Sequence, residues 1–392
     1  MRPGAFGPVY AGPMSTFDFG VTLCGATAFQ WHRIPPVVRD LLQDDLDLTV
    51  RADRRCLPKR GAHLGYLTVP LSVLATDRTS IHETKAFSYR LRTGELLPGD
   101  RVPIDPYLEV TSPAMTLLTM APKVSELHLT MMVCEFCGAF SSIHLEEEHR
   151  EAVRKLVRGK KLPDDGWKPL FVSSNGAPDP MASEGSTLSD LWQRSPLLTL
   201  EELHAFVAKH EGEWGVEKLR RAVDHAFEGA RSPFEIQAAL AFDTPRRAGG
   251  EGFALIGLDE EIPLSMQARS ILHQNRCYAD LLFPGPKGCP GVIVECQGRS
   301  VHGASGKTDR DIRRVSALET DGYRIMLITY DMLANIDAYH RVVRLLADKM
   351  GFSYVPKSEF LLKREEAFRR ELFVNWNELG KMLAPKKKKR EA

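Results

Sequence analysis

The sequence predicts an α/β fold: a C-terminal mixed sheet flanked by helices, preceded by a mixed α/β N-terminal domain and a helical connector. Three observations lead there. Two apolar runs, Arg276 to Phe283 and Val292 to Gln297, alternate between two faces with the period of a strand and are separated by a turn rich in Gly and Pro. A helical pattern from about Thr308 to Thr320, closed by Gly322, precedes the apolar run Arg324 to Tyr330, the spacing of a right-handed crossover to a parallel neighbour. Finally, 392 residues, 43% hydrophobic and 26% charged, suffice for two or three domains, each with its own core.

Composition narrows the partners. The formal net charge of +1 gives no strong overall field for nucleic acid or membrane, so any such attraction has to be local. No apolar run reaches the roughly 18 residues of a bilayer span, which predicts no membrane partner. The cysteines, at positions 24, 56, 134, 137, 277, 289 and 296, are odd in number and lack framework spacing, which points to a reducing, cytoplasmic location. The pair Cys134 and Cys137 has no second pair at zinc-site spacing and reads as helix-end packing.

In chain order, residues 1–15, rich in Gly and Pro, read as a disordered lead-in, and 16–146 as the first α/β unit. There, Thr27 to Trp31 reads as a short helix stopped by Pro35-Pro36, and Leu64 to Val69 as a strand ended by Pro70. Ser112-Pro113 supplies an N-cap and a proline at the first helical position, opening a helix through Met115, Leu118 and Met120. Residues 147–198 turn polar and read as a linker or surface excursion. The connector 199–230 holds a helix opened by a Thr199/Glu202 capping box and a second from Val216 to Glu228.

Three stretches of the N-terminal unit carry a resemblance. Gly25 to His32, Leu67 to Pro70 and Val110 to Leu118 occur in the order seen in proteins similar to the AbiEi abortive-infection antitoxin and transcriptional-regulator family. Cys134 to Phe140 resembles a segment that recurs in bacterial chains bearing this module. The winged-helix portion usual in that family is not visible in the sequence.

The chemistry concentrates further on. Asp280 and Glu295 interrupt apolar strands, and a hairpin register that sets Asp280 against the end of the second strand would bring Asp280, Glu295 and Gln297 to one patch. Crowded carboxylates repel, and a cation with hard oxygen ligands is the usual way to hold them ionised. Alternation places Cys277, Ala279, Leu281 and Phe283 on one face of the first strand. Glu235, three residues after Ser232 and two after Pro233, has two readings that local sequence does not separate: a capping box, or a carboxylate leaning toward the patch. Gly306-Lys307-Thr308 lacks the earlier glycine of a phosphate loop, since Val301 stands there, so ATP binding is rejected. Arg299, His302 and Lys307 on that loop suit a phosphodiester backbone instead. In the helix that follows, Ile312, Val315 and Leu318 are expected inward, which leaves Arg310, Arg313 and Arg314 on another face as candidate nucleic-acid contacts.

From about Arg231 to Leu345 this order resembles the PD-(D/E)XK nuclease superfamily, and within it Vsr-like endonuclease domains. The resemblance implies a restriction-endonuclease-like domain over 231–350, followed by an extension over 351–392 that ends in the basic tail Pro385 to Arg390. It also implies that Asp280 and Glu295 ligate Mg2+ or Mn2+, that Glu235 supports the site, and that His302 moves a proton or meets phosphate. Gln297 stands where the superfamily often carries Lys and near relatives Asp. Two functions follow as expectations: a metal-dependent DNA endonuclease of bacterial phage defence, or a noncatalytic DNA-binding regulator or antitoxin-like protein with a decayed nuclease fold. Expected partners are DNA and either a second copy or a cognate defence protein.

Overall fold

The mixed α/β class is what the chain adopts. A computed structural model describes residues 21–41, 66–78, 81, 84–92, 94–105, 108–173, 179, 181–297 and 309–380. Strands β1 (Val21–Leu23), β2 (Leu71–Ala75), β3 (Phe87–Leu91), β4 (Arg101–Asp105) and β5 (Leu108–Thr111) form one sheet in the order β3-β2-β1-β5-β4. It is parallel at β1–β5 and β2–β3 and antiparallel at β1–β2 and β4–β5. Helices Gly25–Arg33 and Pro113–Met120 pack beside it, the second capped by the Ser112 hydroxyl, which accepts from the Met115 N–H. The strand expected before Pro70 instead follows it: among the described residues 66–69 there is no strand, and β2 begins at Leu71.

The polar stretch 147–198, expected to be a linker or surface excursion, carries a helix and two strands. Helix Glu147–Arg158 carries charges on most of its surface and buries Val153. Beyond it, β7 (Lys168–Val172) and β8 (Thr187–Gln193) complete an antiparallel sheet with β6 (Phe140–Ser142), in the order β6-β8-β7. Trp192 and Phe171 anchor this small sheet in the core of the N-terminal unit. A few buried anchors suffice here, which is why composition alone reads as linker.

The third sheet joins β9 (Gly257–Pro263), β10 (Arg276–Phe283), β11 (Val292–Gln297) and β12 (Arg324–Thr329) in the order β12-β11-β10-β9. β10 and β11 are the expected antiparallel hairpin, and β11 and β12 the expected parallel pair, connected through helix Asp309–Thr320. On that helix Leu318 and Ala317 are buried, whereas Ile312, expected inward, is 52% exposed.

Helices Glu126–Phe136 and Pro233–Asp243 are apolar around most of their circumference and lie at the centre of the largest core. Cys134 and Cys137 are packed at the end of the first, and burial pushes the Cys134 thiol up to about 12. That core runs without a break from Phe29 through the third sheet to Leu379. The tail Pro385 to Arg390 and the lead-in lie outside the described residues.

Candidate active site

The hairpin opens at Asp280. Its ladder pairs Phe283 with Val292, Leu282 with Ile293 and Leu281 with Val294, and one step further Asp280 comes opposite Glu295. There the Asp280 side chain takes the place of a ladder acceptor: its Oδ2 accepts the Cys296 N–H at 2.8 Å. On the other edge of β10, the pairs Ala279–Glu260 and Leu281–Leu258 bracket Asp280 and set Asp259 beside it. Asp259 has φ +51°, a left-handed conformation that Asp tolerates better than most residues.

This irregularity overturns the expected faces of β10. Cys277 and Ala279 lie in a small core with Ile293 and Leu318, whereas Leu281 and Phe283 lie in the large core with Val292 and Val294. β10 therefore turns over at Asp280. β11 keeps its alternation, with Cys296 against the large core and Glu295 on the side of Ile293. Asp280 stands at the changeover, with Glu235 on one side and Arg314 on the other.

Glu235 reaches the cluster from the first turn of helix Pro233–Asp243, for reasons that are local. The Ser232 hydroxyl accepts the Glu235 N–H at 3.3 Å, and Pro233 fits the first helical position. Glu235 returns the contact: Oε1 accepts from Ser232 Oγ at 2.8 Å and Oε2 accepts the Arg231 N–H at 2.7 Å. Capping and proximity to Asp280 are thus both true of one side chain. Arg231 also pairs with Asp259 at 2.6 Å and lies over the Tyr278 ring, so Asp259 holds the segment that orients Glu235.

Glu295 has a counter-ion. Arg314, from the crossover helix, donates to both of its carboxylate oxygens, at 2.5 and 2.9 Å, and also to the Tyr278 carbonyl. The guanidinium bridges the two strands where they part. Arg314, expected on a DNA-facing side, is turned into the sheet; Arg313 is exposed. Gln297 ends β11, half-buried, in register with Thr329. Arg299, His302 and Lys307, and the side chain of Arg310, lie outside the described residues.

The electrostatics of the cluster follow from this placement. Burial, and then the Asp280 carboxylate, push Glu235 up to about 7. Asp280 is raised by burial and by Asp259, against the Cys296 N–H and Arg314, and burial also raises Asp259 despite its Arg231 partner. The Cys296 thiol is raised well above its ordinary value by burial and then by Asp280, Glu235 and Glu295, so three carboxylates act on one sulfur.

The raised pKa values of Glu235 and Asp280 come first from burial, which disfavours the charged form, and hard oxygen donors are the ligands Mg2+ and Mn2+ prefer. In that chemical sense Asp280 and Glu295 fit a divalent cation, provided Arg314 releases Glu295. Among the described residues, no three His, Cys, Asp or Glu side chains already form a ligand group.

Glu235 and Cys296 open onto a groove of about 1380 Å³ between the C-terminal unit and the small sheet, whose lining also includes His144 and Asp190. Those two residues pair at 3.1 Å. Asp259 and the groove were not singled out from sequence; the acidic run Asp259-Glu260-Glu261 in β9 was the available signal. The chain matches no family model, no curated protein and no solved structure.

Proposed function

We propose that the chain is a metal-dependent endonuclease that hydrolyses phosphodiester bonds of DNA in the cytoplasm, in bacterial phage defence. The observation that supports this reading is Asp280 where β10 and β11 part, with Glu235 acting on it from one side of the sheet and Glu295 opposite it on β11, on a sheet whose next strand is reached by a crossover helix.

Asp280 and Glu295 would hold Mg2+ or Mn2+, which when bound polarises a phosphate and lowers the pKa of a coordinated water. Glu235, with a proton affinity near neutrality and an opening to the groove, is suited to take a proton from the attacking water. The Gln297 amide orients that water by accepting or donating a hydrogen bond, though it lacks the charge of a lysine. Arg314, once parted from Glu295, would donate to a phosphate oxygen.

Incubation of the full chain with plasmid in Mg2+ or Mn2+ tests this directly. Metal-dependent cutting is expected in the parent and is expected to be lost in Asp280→Ala and Glu295→Ala. One observation favours a second reading: Arg314 already neutralises Glu295, as in a fold that has given up its metal. For such a noncatalytic regulator the same assay shows DNA retention with no cutting in any variant.

A further inference from the structure

The groove onto which Glu235 and Cys296 open has a size and a lining that suit one form of DNA better than another. Its volume is about 1380 Å³. Spread along one duplex turn of about 34 Å, that volume would be a channel only about 6 Å across, room for one nucleotide chain and too little for two paired ones. The cations in it are also few. Two arginines line the groove, and Arg33 spends its guanidinium on Glu135 and on the Trp376 carbonyl. Duplex binding commonly draws on about six to ten phosphate contacts, which this lining does not supply.

Arg231 is the arginine left to act. Its side chain is half exposed, and Nε and Nη2 donate to Asp259 Oδ2 at 3.0 and 2.6 Å, leaving Nη1 without an acceptor among the described residues. The backbone N–H of the same residue is held by Glu235, so this donor belongs to the segment that positions the carboxylate. From Glu235 onward the lining is aromatic. Tyr330 stands 5.9 Å from the Phe234 ring, tilted against it, and 5.9 Å from the Phe373 ring, edge to face. Tyr330 and Phe373 are only half-buried. In a duplex the base faces are covered by their neighbours, whereas an unpaired strand offers them to protein rings.

We propose that the groove takes DNA as a single strand, with bases against Tyr330 and Phe373 and a phosphate on Arg231 beside Glu235. Cleavage of that strand rests on the nuclease reading; the preference for it over duplex does not. A negatively supercoiled plasmid supplies unpaired stretches, so it remains a substrate.

Anisotropy titration of the full chain, in chelator, with a labelled single strand of about 16 nucleotides and with the same sequence as duplex reads binding apart from cleavage. The single strand is expected to bind about tenfold or more tightly than the duplex. Phe373→Leu, which keeps an apolar side chain in place, is expected to weaken the single strand by about tenfold and leave duplex binding unchanged. Arg231→Gln is expected to lower the slope of log affinity against log salt by about 0.7, the contribution of one phosphate on a single strand. Duplex bound as tightly as single strand, single-strand affinity unchanged in Phe373→Leu, or a salt slope unchanged in Arg231→Gln would each overturn the proposal. Adding Mn2+ to the same complexes separates it from the nuclease reading. A tightly bound single strand left uncut removes the nuclease and keeps the strand preference, whereas duplex cut as fast as single strand keeps the nuclease and removes the preference.

Discussion

Glu235 is the residue at which burial has its clearest thermodynamic consequence. Burial and Asp280 lift its pKa from the ordinary 4.5 to about 7. Between those values the folded chain binds the proton that the unfolded chain has lost, so stability falls as pH rises through this window, and the penalty is complete above it. Glu235→Gln in chelator-treated buffer is therefore expected to be more stable than the parent at pH 8, by on the order of 1–3 kcal/mol, and no more stable at pH 4. Urea unfolding at the two pH values reads this out; a variant no more stable at pH 8 contradicts it. Arg314 makes the complementary case. Arg314→Gln removes the two-oxygen pairing of Arg314 with Glu295, whose side chain is 10% exposed, at an expected cost of about 1–3 kcal/mol without metal. If the cation belongs at Glu295, Mn2+ recovers much of that loss in thermal melts, and a melt indifferent to Mn2+ counts against it.

Among elements, those with local signals were legible. The hairpin, the crossover helix and β12 sit close to where period-two alternation and Gly322 placed them, because apolar alternation and a left-handed cap are written within a few residues. Ser232 is the same kind of signal: Ser232→Ala is expected to cost about 1 kcal/mol as a lost N-cap and to raise Glu235 further, because Oε1 loses its donor. An amide-exchange or chemical-denaturation comparison at pH 5 and pH 8 checks both effects. Other features were not legible, for physical reasons. The turnover of β10 comes beside Asp259, which has a positive φ on the neighbouring strand, and no pattern within β10 encodes that. The 147–198 segment hid its strands because their anchors, Phe171, Leu188 and Trp192, are few and widely spaced. Which way Arg314 turns depends on Glu295, distant in sequence, and alternation along the helix leaves that open.

At the scale of the whole molecule, residues 351–380 tie the two units together. Helix Glu359–Leu372 and the segment after it place Phe368, Leu372, Trp376 and Leu379 in the large core. Trp376 Nε1 donates to the fully buried Glu135 at 2.7 Å, and Arg33 pairs with the same carboxylate at 2.8 Å. Lys357, with no side-chain exposure, pairs with Glu251 at 2.7 Å and with Glu365 at 3.0 Å. Lys357→Met removes the cation that two buried acids share, leaving Glu251 the Tyr354 hydroxyl and Glu365 the His340 ring, and is expected to cost about 3–5 kcal/mol by chemical denaturation. Because the large core is continuous, calorimetry of the parent is expected to show one unfolding transition spanning both units, and two separated transitions would contradict that coupling. The proposed chemistry still turns on one place in this frame, the gap between β10 and β11. A crystal of the full chain soaked in Mn2+ and measured at the manganese edge tests it most directly. The account predicts an anomalous peak bonded to carboxylate oxygens of both Asp280 and Glu295, with Arg314 withdrawn from Glu295. A gap without a peak, with Arg314 still bound to both Glu295 oxygens, would contradict it.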